Sequence, residues 1–151
     1  MILAHVIALD PTAAEQQHFR RACGVSRLAY NWALAEWQRM SEAGERPSAL
    51  KLKIKWNAIR RTQFPFTVEV TKCAGSQAIL NLGTAFNNFF RDLKKPKGMR
   101  KARYPECKNK GLRDSFALWN DQFAIEGARI RIRGRPFLPV LKDMLELWAC
   151  R

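Results

Sequence analysis

Residues 3 to 9, LAHVIAL, form a short apolar run closed by a turn signal at Asp10-Pro11, which reads as a buried strand rather than a helix. A strand cannot pair its own backbone N–H and C=O groups, so it needs neighbours. Every periodic segment that follows, through residue 93, is helical, and strand-like pieces return only after residue 114. The two chain ends must therefore meet. This separation predicts an α+β fold: a small β-sheet or partial β-barrel built from both ends, with a helical lobe of residues 12 to 95 inserted between them.

The lobe is bounded by local signals. Thr12-Ala-Ala-Glu15 is a capping box, in which the Thr12 hydroxyl takes the third helical amide and Glu15 returns to the cap amide. From Glu15 to about Glu42, Phe19, Ala22, Cys23, Leu28, Ala29, Trp32, Ala33 and Met40 recur at helical spacing, with Gly24 marking a kink or a close contact. Gly44 and Pro47 end this helix. Leu50 to Arg61 is read as a second helix, although LKLKIKW also alternates with period two. Phe64-Pro65-Phe66 is a turn. From about Val70 to Leu93, Ala74, Ala78, Leu82, Ala85, Phe86, Phe89 and Phe90 make one apolar stripe, closed by Pro96 and Gly98. Ser115 to Trp119, Gln122 to Ile125 and Ala128 to Ile132 then read as strands, the last extended so that Arg129, Arg131 and Arg133 share one face. The expected organisation is a first strand in residues 1–11, the helical lobe in 12–95, a basic connector with the remaining strands in 96–133, and a tail in 134–151.

Charge indicates the partner. The chain carries a net +14 at neutral pH with a pI near 10.3. The run from Lys94 to Arg113, KKPKGMRKARYPECKNKGLR, concentrates nine Lys or Arg against the single acid Glu106. A field of this sign recruits polyanions and gives salt-dependent binding, and the interleaved aromatics favour nucleic acid over a membrane face. The apolar N-terminus is too short to span a bilayer and contains His5, so no membrane partner is expected; the location expected is cytoplasmic and nucleoid-associated.

Catalysis is not expected from these residues. The thirteen acids are scattered, no glycine-rich phosphate loop is present, His5 reads as a core residue and His18 as a solvated one. Cysteines 23, 73, 107 and 150 lie far apart without a CxxC pair, so free thiols are expected and neither a metal nor another cofactor. Binding has clearer candidates. Lys94, Lys95, Lys97, Arg100, Lys101, Arg103, Lys108 and Lys110 can meet phosphates, and Tyr104 can stack on a base. Gln77 and Asn81 share a helix face one turn apart, and both amides can read adenine edges in a major groove. Ser76, Asn87 and Asn88 lie on the same helix; Trp32, Trp37 and Trp56 read as core.

Four motifs carry a resemblance. Arg21-x-x-Gly24-x-x-Arg27-x-x-Tyr30-Asn31-Trp32-Ala33-Leu34, Gln77-Ala78-x-x-x-Leu82-x-x-Ala85-Phe86-x-x-Phe89-Phe90, Tyr104-Pro105-x-x-Lys108-x-Lys110 and Asp114-Ser115-Phe116, in that order over about residues 3 to 133, resemble the N-terminal half of the OrfB/TnpB proteins of insertion sequences. These are compact relatives of type V CRISPR nucleases. The resemblance implies a wedge-like β-barrel interrupted by a helical recognition lobe, binding of guide-type structured RNA, and reading of a short motif beside a double-stranded DNA target. Cleavage is implied for a following RuvC-like nuclease domain with a zinc ribbon. It also implies that Gln77, with Ser76 and Lys72 nearby, falls at the target-adjacent DNA, that Lys94 to Lys110 tracks guide or heteroduplex backbone, and that Tyr30-Asn31-Trp32 packs. The chain departs from the pattern at Glu106 and Cys107, where a basic residue and Phe are usual, and in the tail GRPFLPVLKDMLELWACR, after which no RuvC acids follow. The first functional expectation is a TnpB-like nucleic-acid-binding protein without its own nuclease, acting alone or with a separate nuclease subunit. The alternatives are an RNA-independent transposon-derived DNA-binding regulator and a decayed transposase fragment.

Overall fold

The computed structural model describes residues 8–126, 129–132 and 137–139. Three helices dominate: α1, Ala13–Glu42; α2, Ala49–Gln63; and α3, Lys72–Leu93. Short 3-10 turns lie at Pro65–Glu69, Lys97–Met99 and Asn120–Gln122, and three strands follow: β1, Phe123–Glu126; β2, Arg129–Ile132; and β3, Phe137–Pro139. The chain divides into two compact units, Met1–Phe19 with Leu118–Arg151, and Arg20–Ala117.

In the larger unit each helix begins and ends where its residues dictate. Helix α1 closes in a Schellman arrangement: the Glu45 amide donates to the Met40 carbonyl at 2.9 Å and the Gly44 amide to Ser41 at 3.1 Å. Gly44 holds φ +73°, a left-handed conformation in which a side chain would be strained. Helix α2 is capped by Ser48, whose hydroxyl accepts from the Lys51 amide at 3.3 Å, and α3 by Thr71, which accepts from Cys73. The core joins all three helices: Ala29, Tyr30, Ala33, Leu34, Trp37 and Met40 of α1, Leu52 and Trp56 of α2, and Ala78, Ile79, Leu82 and Phe86 of α3. Trp37 stacks on Phe86 with ring centroids 4.1 Å apart. Two glycines set the approach of α2 to α3. A Cβ on Gly75 would stand 2.8 Å from the Trp56 indole nitrogen, and one on Gly83 would stand 2.6 Å from the Ala49 Cβ. Neither position admits alanine without movement.

In the smaller unit β1, β2 and β3 form an antiparallel sheet in that order, with Ile125 opposite Ile130 and Ile130 opposite Leu138. Ile132 is buried and Arg131 exposed, as the alternation requires. Leu9 takes part in a β-bridge. The α+β class is thus seen as a mainly helical chain with a small antiparallel sheet.

The expected helices are present, with boundaries within a few residues. Several readings need correction. Residues 115–119 form no strand; they are coil, and Phe116 packs against the small apolar group of Ala22, Val25, Val70 and Ala74. Gly24 does not sit in a tight contact, since a Cβ there would meet only the Arg27 guanidinium at 3.9 Å. Helix α1 continues unbroken through it. His18 is buried rather than solvated. The capping box is half formed as expected: Glu15 accepts the Thr12 amide at 2.7 Å, but the Thr12 hydroxyl also donates to Glu15 instead of accepting a helix amide. Strand β3 was not anticipated and falls in the stretch read as a tail, at Phe137-Leu138-Pro139. The expected first strand falls mostly outside the described residues, as do His5, Arg133 and Cys150.

Candidate nucleic-acid interface

The basic run begins at the C-terminus of α3, and it is stitched to the helical unit at successive points along its length. The first stitch is Asp92, whose side chain is only 6% exposed. One carboxylate oxygen accepts the backbone amides of Lys101 and Ala102 at 3.1 and 2.9 Å, and the other pairs with the Lys95 ammonium. Lys95 and then the two amides hold its carboxyl well below the usual carboxylate range. Arg100 folds back to donate to the carbonyls of Leu93 and Lys95, both at 3.0 Å, serving carbonyls at and just beyond the end of α3. Tyr104 meets Phe86 and Phe89 edge-on, each at 5.4 Å, and Pro105 beside it is buried.

Farther along, the Asn31 side chain pairs with the backbone of Lys108, and the Lys108 ammonium lies 4.5 Å above the Tyr30 ring. Asp114 closes the run: it accepts the Gly111 amide at 3.2 Å and forms an ion pair with Arg27. Arg27 and Gly111 keep the Asp114 carboxyl low as well. Gly111 and Arg113, both at positive φ, make the reversal that brings Asp114 home.

All four sequence motifs are therefore linked by contacts with one another. Arg27, Tyr30 and Asn31 from the first hold Lys108 and Asp114 from the third and fourth, while Phe86 and Phe89 from the second hold Tyr104. Asn31, Arg27, Asp92 and Asp114 were missed as ordering residues. Asp92 had a signal: it is the only acid of α3 and stands two residues before the first cation of the run, Lys94.

Stitching leaves most of the charge outward. Lys94, Lys95, Lys97, Arg100, Lys101, Arg103 and Lys110 are exposed, and Lys108 is half-buried. Among the described residues Lys94, Lys97, Lys101 and Arg103 make no ion pair. A surface so dense in unneutralised cations attracts a phosphate backbone, and each phosphate it engages releases counterions.

The other candidate surface is the outer face of α3. Gln77 donates to Asn81 Oδ1 at 3.0 Å, so these two are brought together. Thr84, Asn88 and Arg91 continue the same stripe at alternating three- and four-residue spacing. Ser76 does not belong there. It is 3% exposed, on the buried side near Gly75, and cannot touch DNA in this structure. Lys72 is exposed at the first turn but on a different face from Gln77 and Asn81. Trp37 and Trp56 are core, as expected, and Trp32 is partly buried against Trp56 at 5.3 Å.

The helical unit carries a cation-rich strap and an amide-bearing helix face, features whose chemistry suits a nucleic acid. Residues 1–46 match the family model for the helix-turn-helix domain of the OrfB proteins of IS605-type insertion sequences, so this part of the chain is similar to the helix-turn-helix domain of a transposon-encoded protein. None of the curated proteins compared with the chain matches it. Within the matched stretch α1 is a single unbroken helix, and the match ends at Arg46, before α2 begins. Among the described residues no helix is long and apolar enough to cross a membrane.

Proposed function

We propose that this chain binds a guide-type structured RNA through the strap from Lys94 to Lys110 and contacts target-adjacent duplex DNA through α3, with Gln77 and Asn81 as base-reading residues. The observation that carries this reading is the stitched strap: a basic run held in one path by Asp92, Asn31 and Asp114 keeps its cations at set positions along a backbone. RNA backbone and RNA–DNA heteroduplex suit such a surface, because A-form helices are recognised by shape and phosphate position. The role of these residues is to bind, and cutting belongs to a nuclease that works with them. On this reading its site of action is the cytoplasm, at the nucleoid.

The test is the nucleic acid that purifies with the protein. Enrichment of one structured RNA, bound more tightly than random RNA of equal length, is the expected result; equal affinity for both defeats the reading. The helix-turn-helix match favours a second reading, an RNA-independent regulator that binds duplex DNA. Sequence-preferring duplex binding that survives RNase treatment selects it.

A further inference from the structure

Beside the strap lies a group of aromatic rings that phosphate binding leaves unused. Trp37, Phe86 and Phe90 form a stacked series, with Phe86 and Phe90 centroids 6.0 Å apart and nearly parallel, and Phe89 and Tyr104 close its flank. The inner end of the series is core, with Phe86 only 1% exposed. The outer end is not: Phe90 is 48% exposed, Tyr104 44% and Leu93, one turn on from Phe90, 43%. Lys94, Lys97, Lys101 and Arg103 follow Phe90 and precede Tyr104 in the same chain segment, all exposed. Half-bare rings in a cationic surface suit a flat, uncharged ring that covers them while phosphates on either side meet the cations. Paired bases hide their faces inside the duplex, so the matching ligand is a base free of its partner.

We infer that Phe90 and Tyr104 form a stacking platform for one or two unpaired bases of the bound RNA, so that the strap holds a loop or single strand rather than a continuous helix. This rests on the RNA-binding reading above and names the part of the RNA that is held. Phe90 supplies the open ring face, rigid because its other side leans on Phe86. Tyr104 presents a second ring, fixed edge-on to Phe86 and Phe89. RNA is the source committed to, since its loops splay bases outward while a DNA target arrives paired.

The experiment measures, for the full chain, the affinity of a short mixed-sequence RNA strand, the same strand with abasic sites, its duplex, and the DNA strand of equal sequence. The expected order places the RNA strand above its duplex and above the abasic strand. Phe90→Ala should weaken the RNA strand about ten-fold, as the loss of one stacked base does, and leave the abasic strand unchanged. Phe90→Trp should restore binding, and melting curves confirm that each variant is folded. Equal affinity for the base-bearing and abasic strands, or an unchanged affinity in Phe90→Ala, overturns the platform while leaving the functional reading standing. Preference for the DNA strand overturns the assignment to RNA. Failure of the unaltered chain to bind any strand defeats the functional reading and the platform together.

Discussion

Asn31 grips the backbone of Lys108 from both sides: its Oδ1 accepts the Lys108 amide at 2.8 Å, and its amide nitrogen donates to the Lys108 carbonyl at 3.1 Å. This two-bond pairing spans 77 positions of sequence and imitates a step of β-ladder with a side chain. It requires a donor and an acceptor on one short side chain. Asn31→Asp keeps the acceptor but sets a carboxylate against a carbonyl, and Asn31→Leu leaves both backbone groups of a part-buried site unserved. Each variant should lose about 1–3 kcal/mol in urea denaturation. A loss below about 0.5 kcal/mol for both would mean that the strap is held elsewhere.

The same substitution should have opposite signs at two glycines. Gly83→Ala forces a methyl to within 2.6 Å of the Ala49 Cβ and should cost about 1–3 kcal/mol as α2 and α3 are pushed apart. Gly24→Ala fills open space in the interior of α1 and should gain about 0.5–1 kcal/mol. Thermal melts of the two variants decide both.

Acid should loosen the strap. Asp92 has a folded-state pKa below its unfolded value, so its contribution is present at pH above about 4 and fades as pH falls through the ordinary carboxylate range and below. Asp92→Asn keeps the shape but removes the charge, so its stability at neutral pH should drop and its decline below about pH 4 should be shallower. Parallel curves for the two proteins would assign the acid sensitivity to other groups. Glu36 is one such group: its pKa is lowered to about 2, chiefly by its hydrogen bond from Arg39 and also by Lys55, and Lys55 ties it to α2 at 2.9 Å.

Charge and specificity should separate. Neutralising Lys94, Lys97, Lys101 and Arg103 should weaken binding to all sequences and reduce the slope of log affinity against log salt by about 3–4. Gln77→Ala should change sequence preference on duplex DNA with little change in that slope. Like effects from both sets of variants would refute the division between strap and helix face.

The helices were legible because their signals are local. The apolar stripe of α3 repeats every three or four residues, and the Gly44 stop and the Thr12–Glu15 cap of α1 lie within a turn of the ends they define. The order within the strap was not legible. It depends on single contacts such as Asn31 with Lys108 and Arg27 with Asp114, far apart in sequence and between residue types common on any surface. Burial within a helix was only partly legible: Ser76 and His18 are polar by type, yet both are buried. Strand β3 was hidden by its brevity, three residues ending in proline. Spacing alone set Gln77 one turn from Asn81, where the two hydrogen-bond, but could not show that Ser76 is buried.

The anchors at Asp92, Asn31 and Asp114 bear on how tightly a polyanion could be held. A slack basic segment surrenders about 1–2 kcal/mol of conformational freedom for each residue it immobilises on a ligand, which discounts much of the attraction its charges supply. Here that freedom is already spent when the protein folds, on hydrogen bonds between the segment and α1 and α3. The attraction is then available nearly undiscounted, and cutting any one anchor should reveal itself less in the folded protein's shape than in faster release of whatever it carries.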